Sequence, residues 1–226
     1  MESKISIIVP IYNEERTVAI SLPRIFALPL EKEVIVIDDG SSDKTPEILA
    51  GLKSNYDFRL ISQPINRGKG AAIRRGLEKI SGDYFIICDA DIEYDPADIV
   101  PMFKGIKEGA GRCALYGSRF LDRPGSSFHR TINGFLTGLT NLLFGSNLTD
   151  METCFKLIPA AALKEIRLSG ERFEIEPIIT AQLLKNGYRI KEMPISYNRR
   201  GYKDGKKISP RDGLTAILAL FKERLN

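Results

Sequence analysis

Two aspartates one residue apart, Asp89 and Asp91, are the side chains of this sequence best suited to chemistry. They lie just after the apolar run Tyr84–Ile87, which is typical of a buried strand. Carboxylates at a strand end can both bind a hard divalent cation, which takes its other ligands from water and from substrate phosphates. The pair therefore indicates a site for a nucleotide diphosphate. The alternative is that both are solvated carboxylates beside the turn at Asp95-Pro96.

The elements that must position this pair alternate between strand-like and helix-like patterns. Alternation of this kind predicts crossover connections and a largely parallel sheet. We expect strands at residues 5–9, 33–37, 58–62, 84–87 and 114–117, with helices between them. Ligands of such sheets bind at the carboxyl ends of the strands. Four polar segments each follow a strand and should therefore share one edge: residues 10–14, 38–42, 66–70 and 89–91.

The second half of the chain is predicted to be mainly helical. Apolar residues three and four apart predict a helix over residues 128–144, which either covers the sheet or lines an acceptor site near lipid. Further helices are expected over residues 174–186 and 211–225, with a strand at 189–195. Glu174 and Glu176 are candidates for orienting or base roles, or for helix caps and surface charges.

Composition limits the class of protein. A chain of 226 residues with 43% hydrophobic and 27% charged residues fits one soluble domain. Its three cysteines have no metal-ligand spacing, which favours a reducing compartment. No signal peptide and no apolar run of about 18 residues is present. We therefore expect a cytoplasmic protein with at most peripheral contact to the cytoplasmic face of a membrane.

Basic residues concentrate near the carboxyl terminus. Residues 185–211 hold nine lysines and arginines but only two acids. Such a stretch suits an anionic partner, namely phosphate, an anionic membrane surface or nucleic acid, although a charge run can also be a solvated surface.

The first two strand-end segments contain residues suited to a nucleoside. Tyr12 could pack near a base or ribose, and Asn13 and Glu14 supply polar groups at a helix start. Asn13 could equally be a helix cap. An ionised Asp39 only accepts hydrogen bonds, so it suits a base N–H or a ribose hydroxyl. Ordinary turn chemistry explains Asp39 as well.

The third segment, Asn66-Arg67-Gly68-Lys69-Gly70, resembles a phosphate-binding loop but lacks the G-x-x-x-x-G-K-[ST] and G-x-G-x-x-G patterns. Its glycines permit close backbone approach, and Arg67 or Lys69 could face a nucleotide. A plain strand-to-helix turn accounts for it equally well.

Taken together, these segments resemble family 2 glycosyltransferases of the GT-A fold. The order and spacing match in Val9-Pro10-Ile11-Tyr12-Asn13-Glu14, Val36-Ile37-Asp38-Asp39-Gly40-Ser41-Ser42-Asp43, Asn66-Arg67-Gly68-Lys69-Gly70 and Asp89-Ala90-Asp91. The second half is similar to polyprenyl-phosphate sugar synthases of the dolichol-phosphate mannosyltransferase type. That similarity lies in Tyr116-Gly117-Ser118-Arg119-Phe120, Asp150-Met151-Glu152-Thr153-Cys154-Phe155-Lys156, Glu192-Met193-Pro194-Ile195-Ser196-Tyr197 and the basic loop 198–211.

The resemblance implies a single α/β domain over residues 1–226, with a mixed, mostly parallel sheet flanked by helices. Residues 1–120 would bind the nucleotide sugar and residues 121–226 would form the acceptor side. The implied reaction is inverting, metal-dependent transfer of a hexose from a GDP-mannose- or UDP-glucose-type donor to a dolichyl or undecaprenyl phosphate. Many such relatives append membrane-spanning helices, so a separate membrane-anchoring partner is an expectation here.

The resemblance also assigns roles to individual residues. The implied metal ligands for Mg²⁺ or Mn²⁺ are Asp89, Asp91 and Glu93. Catalytic roles fall on Asp91, Arg119, Asp150 and Arg200. The implied substrate-binding residues are Pro10, Tyr12, Asn13, Glu14, Asp39, Lys69, Asp89, Arg130, Lys206 and Lys207.

Two departures leave the transferred sugar open. Glu93 stands where the mannosyl-phosphate synthases often have Gln, and Asp150 begins a segment that differs from the form common among them. A phosphate acceptor fits a chain with a single histidine, His129, because its second pKa near about 6 leaves it ionised without a strong base.

Two alternatives to this function remain. One is a family 2 transferase with a soluble or polysaccharide acceptor. The other is a non-enzymatic nucleotide- or nucleic-acid-binding protein, which would leave the carboxylate pair unexplained. The chain has no interleaved aromatic and basic face of the kind that binds single strands, so no nucleic-acid partner is expected.

Overall fold

The computed structural model describes residues 3–107, 111–122, 128–198 and 210–226, without the side chains of residues 128–131 and 210. One seven-stranded sheet has the order β3-β2-β1-β4-β6-β5-β7. Its strands are β1 (Ile5–Ile11), β2 (Lys32–Asp38), β3 (Arg59–Ser62), β4 (Tyr84–Ile87), β5 (Cys113–Ser118), β6 (Lys156–Pro159) and β7 (Arg189–Pro194).

Seven α-helices alternate with or follow these strands. They are α1 (Val18–Phe26), α2 (Thr45–Leu52), α3 (Lys69–Leu77), α4 (Ile99–Lys107), α5 (Phe128–Phe144), α6 (Ile175–Lys185) and α7 (Pro210–Leu225). A short 3₁₀ segment, Pro96–Asp98, precedes α4, and the Asp95 side chain caps it by accepting a hydrogen bond from the Ala97 amide at 3.0 Å.

The centre of the sheet is parallel, as the sequence predicts. β1 pairs in parallel with β2 on one side and with β4 on the other. Because helices cover both faces of such a sheet, its central strands are apolar nearly throughout. Ile5, Ile7, Ile8 and Val9 of β1 are all fully buried. The expected α/β fold with a mixed, mostly parallel sheet is therefore confirmed.

Strand β6, which pairs antiparallel with both β4 and β5, was not predicted from the sequence. It has only four residues and begins with a lysine, so it carries no clear strand pattern. Because β6 starts where its neighbours end, the segment before it, residues 149–155, lies at the same edge as the strand-end segments.

Helix α5 packs mainly against α6 and α7. A small second core lies between these helices and includes Leu136, Met151, Ala216 and Leu220. The opposite sides of α5 and α7 leave large apolar side chains in solvent: Ile132, Phe135, Leu142, Leu214, Leu218, Phe221 and Leu225. No helix in the described ranges is both long enough and apolar enough to cross a membrane.

Candidate active site

The loop after β1 is joined to the loop after β2 by a set of hydrogen bonds. The Asn13 amide donates to Ser41 Oγ at 2.9 Å, and Asn13 Oδ1 accepts from the Ser42 amide at 2.8 Å. Asn13 has a φ of 49°, in the left-handed region that Asn tolerates better than most residues. The Glu14 amide donates to Thr45 Oγ1 at 2.9 Å. Asn13 and Glu14 therefore hold two strand-end loops together.

Pro10, near the end of β1, and Tyr12, in the loop that follows, are both partly exposed at this edge of the sheet. Their position is compatible with contact to a nucleoside, and their role in binding stays a prediction.

Asp39 is buried and organises the loop after β3. One of its carboxylate oxygens accepts from Gln63 Nε2 at 2.7 Å and from the Arg67 amide at 2.8 Å. The other accepts from the Gly68 amide at 2.7 Å. Burial raises the pKa of Asp39, although the two amides oppose the shift. All three donors are 24 to 29 residues away in the sequence, so Asp39 joins its loop to another rather than forming a turn within its own, and nucleotide binding by Asp39 stays a prediction.

The backbone at Gly68 requires glycine. Its φ is 96°, and an added Cβ would lie 2.3 Å from the Glu171 carbonyl oxygen. The start of α3 therefore passes very close to the segment before α6, which brings Lys69 toward the interior.

Lys69 links Asp89, just after β4, to a buried group of charged side chains. Its Nζ lies 2.9 Å from Asp89 Oδ2 and 3.1 Å from Glu176 Oε1. The second oxygen of Glu176 pairs with Nζ of Lys156, which is fully buried. Burial favours the neutral amine of Lys69, but the charges of Asp89, Cys154 and Glu176 raise its pKa well above the ordinary value. Likewise the two lysines hold the pKa of Glu176 low despite its burial.

Asp91 and Glu93 continue the segment after β4. Asp91 Oδ1 accepts from the Glu93 amide at 3.0 Å, and Glu93 Oε2 accepts from the Tyr197 hydroxyl at 3.1 Å. No three Asp, Glu, His or Cys side chains in the described part of the chain gather as a metal site would. Asp89 and Asp91 are nevertheless partly exposed hard-oxygen donors at one strand end. That pair fits Mg²⁺ or Mn²⁺, which keep waters and take phosphate oxygens as further ligands.

A second ion pair follows β5. Arg119 Nε and Nη2 each lie 2.7 Å from an oxygen of Asp150, and the Arg119 amide donates to the same carboxylate at 3.0 Å. Asp150 is fully buried and the Arg119 side chain is 10% exposed. The Glu192 carboxylate accepts from the Thr149 and Asp150 amides at 2.8 and 2.9 Å. The Asp150 carboxylate is thus committed to Arg119, which favours a positioning role over that of a free base.

Aromatic rings and a cavity surround Arg119. The Tyr197 ring centre lies 5.3 Å from the guanidinium carbon and 5.3 Å from the ring centre of Tyr94. A cavity of about 280 Å³ is bounded by Arg119 together with Asp98, Ser118, Asp122, Pro194, Ile195 and Ser196. The guanidinium therefore lies at the wall of a polar cavity.

Glu152 was not among the predicted site residues. Its Oε1 is buried and has no hydrogen-bond partner among the described residues. Burial raises the pKa of Glu152 to about 7, with Lys156 opposing and Glu176 adding to the shift. The available signal was its place between Asp150 and Lys156, since all three belong to the segment that the missed strand β6 brings to the edge.

Glu174 and Glu176, the two helix-start glutamates, have different roles. Glu174 Oε1 accepts from the amides of Glu171 and Arg172 at 2.9 and 3.2 Å, so it stabilises the turn before α6 and does not cap the helix with its side chain. Glu176 instead pairs with buried charge, as described above. The Arg130 side chain and Arg200, Lys206 and Lys207 lie outside the described residues.

Residues 6–167 match the family model for glycosyl transferase family 2. The chain belongs to this family. The match covers the strand-end loops and the segment that contains Glu152. It also includes the charged residues Lys69, Arg119, Asp150 and Lys156, but not Glu176. Membership agrees with the resemblance noted in the sequence.

Curated relatives of this family 2 chain include an undecaprenyl-phosphate 4-deoxy-4-formamido-L-arabinose transferase from Photorhabdus laumondii. It is 28% identical over 209 residues, which are 90% of this chain and 62% of the relative. The poly-beta-1,6-N-acetyl-D-glucosamine synthase of Staphylococcus epidermidis is 36% identical over 115 residues, 50% of this chain and 28% of the relative. The chain thus spans about three fifths of the first relative's length.

Solved structures of other transferases share the fold of this family 2 chain. Glucosyl-3-phosphoglycerate synthase from Mycobacterium tuberculosis, in complex with Mn²⁺, UDP and phosphoglyceric acid, has a TM-score of 0.74 at 20% identity. The match covers 98% of this chain and 78% of that one. TarS residues 1–349 from S. aureus, with UDP-GlcNAc, has a TM-score of 0.67 at 19% identity and covers 99% and 67% of the two chains.

Proposed function

We propose that this chain is an inverting glycosyltransferase that moves a hexose from a nucleotide diphosphate sugar to a polyprenyl phosphate. One observation carries the proposal: Asp89 and Asp91 follow β4 at the carboxyl ends of parallel strands, Lys69 pairs with Asp89 there, and Arg119 follows β5, two positions away in the sheet, at the same edge. Carboxylates for a cation and fixed positive charge are what transfer from a diphosphate requires. Family membership favours an enzyme over a non-enzymatic nucleotide-binding protein.

The donor half of the proposal rests on the loops after β1 to β4. Asn13 and Glu14 fix the first two loops, and Asp39 fixes the third, so Tyr12 and Pro10 are presented on a rigid edge. Asp89 and Asp91 would hold Mg²⁺ or Mn²⁺, with Glu93 beside them. The ion would neutralise charge on the leaving diphosphate. Structural neighbours of the same fold were solved with UDP and either Mn²⁺ or Mg²⁺, which supports a divalent cation.

The acceptor half of the proposal rests on Arg119. Its guanidinium is held rigidly by Asp150 and has further donors available for an anion, since guanidinium carries five. A phosphate oxygen would attack the anomeric carbon as the bond to the diphosphate breaks, which inverts the configuration. The phosphate is already ionised at neutral pH, so no residue has to remove a proton. Arg200, Lys206 and Lys207 would add positive charge near the diphosphate.

A second candidate acceptor is a soluble sugar or a polysaccharide. The Staphylococcus epidermidis relative, a poly-beta-1,6-N-acetyl-D-glucosamine synthase, matches half of this chain at 36% identity. The undecaprenyl-phosphate transferase from Photorhabdus laumondii has a lower identity, 28%, over a longer match of 209 residues. A hydroxyl acceptor would need a base, and the Asp150 carboxylate is occupied by Arg119. That geometry favours the phosphate acceptor.

The direct test is a panel of donors and acceptors with mass analysis of the products. UDP-glucose and GDP-mannose would each be incubated with undecaprenyl phosphate, dolichyl phosphate, and free or polymeric sugars. We expect one donor to give a polyprenyl-phosphate hexose. Transfer to sugars but not to the lipid phosphates would establish the second candidate, and no transfer with any pair would overturn the proposal.

We further propose that the exposed apolar faces of α5 and α7 contact an anionic membrane peripherally. Leu214, Leu218, Phe221 and Leu225 are spaced three and four apart on α7, are 45–86% exposed, and neighbour basic residues near the helix end. A lipid acceptor would be reached from such a surface on the cytoplasmic face.

Membrane contact has its own test. Vesicles containing anionic lipid at low salt should bind the wild type and lose binding to Leu214→Glu/Leu218→Glu. Ile20→Glu, a change at an exposed isoleucine of α1, is the matched control and should bind normally. Absence of wild-type binding at low salt would exclude the contact.

A further inference from the structure

We propose that Lys69 competes with the divalent cation for Asp89, and that the buried Lys156–Glu176 pair positions Lys69 to do so. The consequence is that the cation binds well only together with the donor diphosphate. This inference rests on the proposed function, because it takes Asp89 and Asp91 to be the cation ligands.

Competition follows from the distances at Asp89. The Lys69 ammonium lies 2.9 Å from Asp89 Oδ2. A bound Mg²⁺ would lie about 2.0–2.1 Å from a carboxylate oxygen. Two cations on one oxygen repel each other, and the repulsion is strong where water is partly excluded. The side chains of Lys69 and Asp89 are only 14% and 24% exposed, so solvent screens the pair poorly.

Glu176 also pairs with Lys69 and fixes the position of its ammonium group. Its side chain is 4% exposed, and its two oxygens take one lysine each, Lys69 at 3.1 Å and the fully buried Lys156. Glu176 lies in the first turn of α6, where the helix dipole favours a negative charge. Lys156 also donates to the Thr153 carbonyl, so it stays fixed when Lys69 moves. Lys69 is the more exposed of the two lysines and the one able to turn toward solvent.

The charge balance explains the coupling to the donor. Asp89, Lys69, Glu176 and Lys156 together are neutral, so of the two cation ligands only Asp91 adds net negative charge, and the site attracts a bare cation less than it would without Lys69. A diphosphate brings negative charge that both the cation and the displaced Lys69 ammonium can bind. Lys69 therefore weakens binding of the cation alone and strengthens binding of the cation with the diphosphate. Because linkage is reciprocal, the cation must strengthen nucleotide binding by the same factor.

The test uses Lys69→Met, which leaves Glu176 paired with Lys156. Mn²⁺ binding to the full chain would be measured by electron paramagnetic resonance, and UDP and GDP binding by calorimetry at saturating Mn²⁺. We expect the variant to bind Mn²⁺ alone about ten-fold more tightly, since a nearby positive charge is removed. We expect it to bind the preferred nucleotide about ten-fold more weakly, since a phosphate contact is lost.

Two control variants define a positive result. Lys69→Arg keeps the charge and should retain weak Mn²⁺ binding, whereas Lys79→Met, just beyond α3, should behave as wild type. Thermal melting would show that each variant is folded. If Lys69→Met bound Mn²⁺ with wild-type or weaker affinity, the competition would be disproved.

Failure of this inference is distinguishable from failure of the proposed function. If Asp91→Ala bound Mn²⁺ as well as the wild type, the cation site itself would be wrong and the inference would fall with it. If Asp91→Ala lost Mn²⁺ binding but Lys69→Met did not gain any, only the competition would be overturned.

Discussion

The two sides of the candidate site are built from different interactions. The loops after β1, β2 and β3 are joined by hydrogen bonds between neutral groups and by carboxylates that accept from backbone amides, namely Glu15, Asp39 and Asp43. The segments after β4 and β5 and before β6 instead carry buried ion pairs, Arg119–Asp150 and the linked group Asp89–Lys69–Glu176–Lys156, to which α3 and α6 contribute Lys69 and Glu176. A lost hydrogen bond costs little, whereas a broken buried pair leaves a charge without a partner. The two sides should therefore respond differently to mutation and to pH.

The largest expected effect is that of Asp150→Ala. The change leaves the Arg119 guanidinium, 10% exposed, without its carboxylate, and we expect the free energy of unfolding to fall by about 3–5 kcal/mol. Urea unfolding followed by circular dichroism measures the loss. Glu78→Ala breaks the exposed Arg75–Glu78 pair and should cost less than about 0.5 kcal/mol. Equal losses in the two variants would remove the contrast between buried and exposed pairs.

A smaller effect is expected from Asp39→Asn on the hydrogen-bonded side. Asn keeps the shape but turns one acceptor oxygen into a donor, which would face the Gly68 amide or the Gln63 and Arg67 donors. We expect a loss of about 1–3 kcal/mol in the same urea experiment. A loss as large as that of Asp150→Ala would show that the loops after β1 to β3 depend on charge as strongly as the other side does.

The smallest effect concerns pH and Glu152. Burial raises the pKa of Glu152 from 4.5 to about 7, so the folded protein holds a proton that the unfolded chain releases. This group's stabilising contribution is therefore full below pH about 4.5 and is lost as the pH rises to about 7.

Gln imitates the protonated acid, so Glu152→Gln should match the wild type in stability at pH 4, below the pKa of the unfolded carboxyl. At pH 8 it should be the more stable protein, because the wild type then has to bury an ionised carboxylate or keep a proton that the solvent takes up. Thermal unfolding of both proteins across this range measures the difference. A constant difference at all pH values would mean that Glu152 does not change its protonation between the two pH values.

The position of the strand-end residues was largely predictable from the sequence. Turn-forming residues directly after apolar runs placed Asn13, Asp39 and Asp89 at one edge, because parallel strands end together. The hydrogen-bond partners of these residues were harder to predict from the sequence. Asp39 was assigned to a nucleotide or a turn, and only the structure shows that it anchors the Arg67 and Gly68 amides.

The side of the site that contains the buried ion pairs was predictable only in part. Arg119 and Asp150 were each singled out, but not as a pair, since the strand that brings them together, β6, has four residues and begins with Lys156. A lysine normally indicates a surface position, and its burial here depends on Glu176, which is distant in the sequence. Pairing between distant charges leaves no periodic pattern, so composition and spacing could not reveal it.

We propose above that the carboxyl ends of the strands bind a nucleotide diphosphate with a divalent cation. The most direct measurement is calorimetric binding of UDP and GDP, with and without Mn²⁺, to the wild type, Asp91→Ala and Asp83→Ala. Asp83 precedes the same strand, β4, at the opposite edge of the sheet and is the matched control. We predict Mn²⁺-dependent binding of one nucleotide to the wild type and to Asp83→Ala, and loss of the dependence in Asp91→Ala. Unchanged Mn²⁺-dependent binding to Asp91→Ala would contradict the claim.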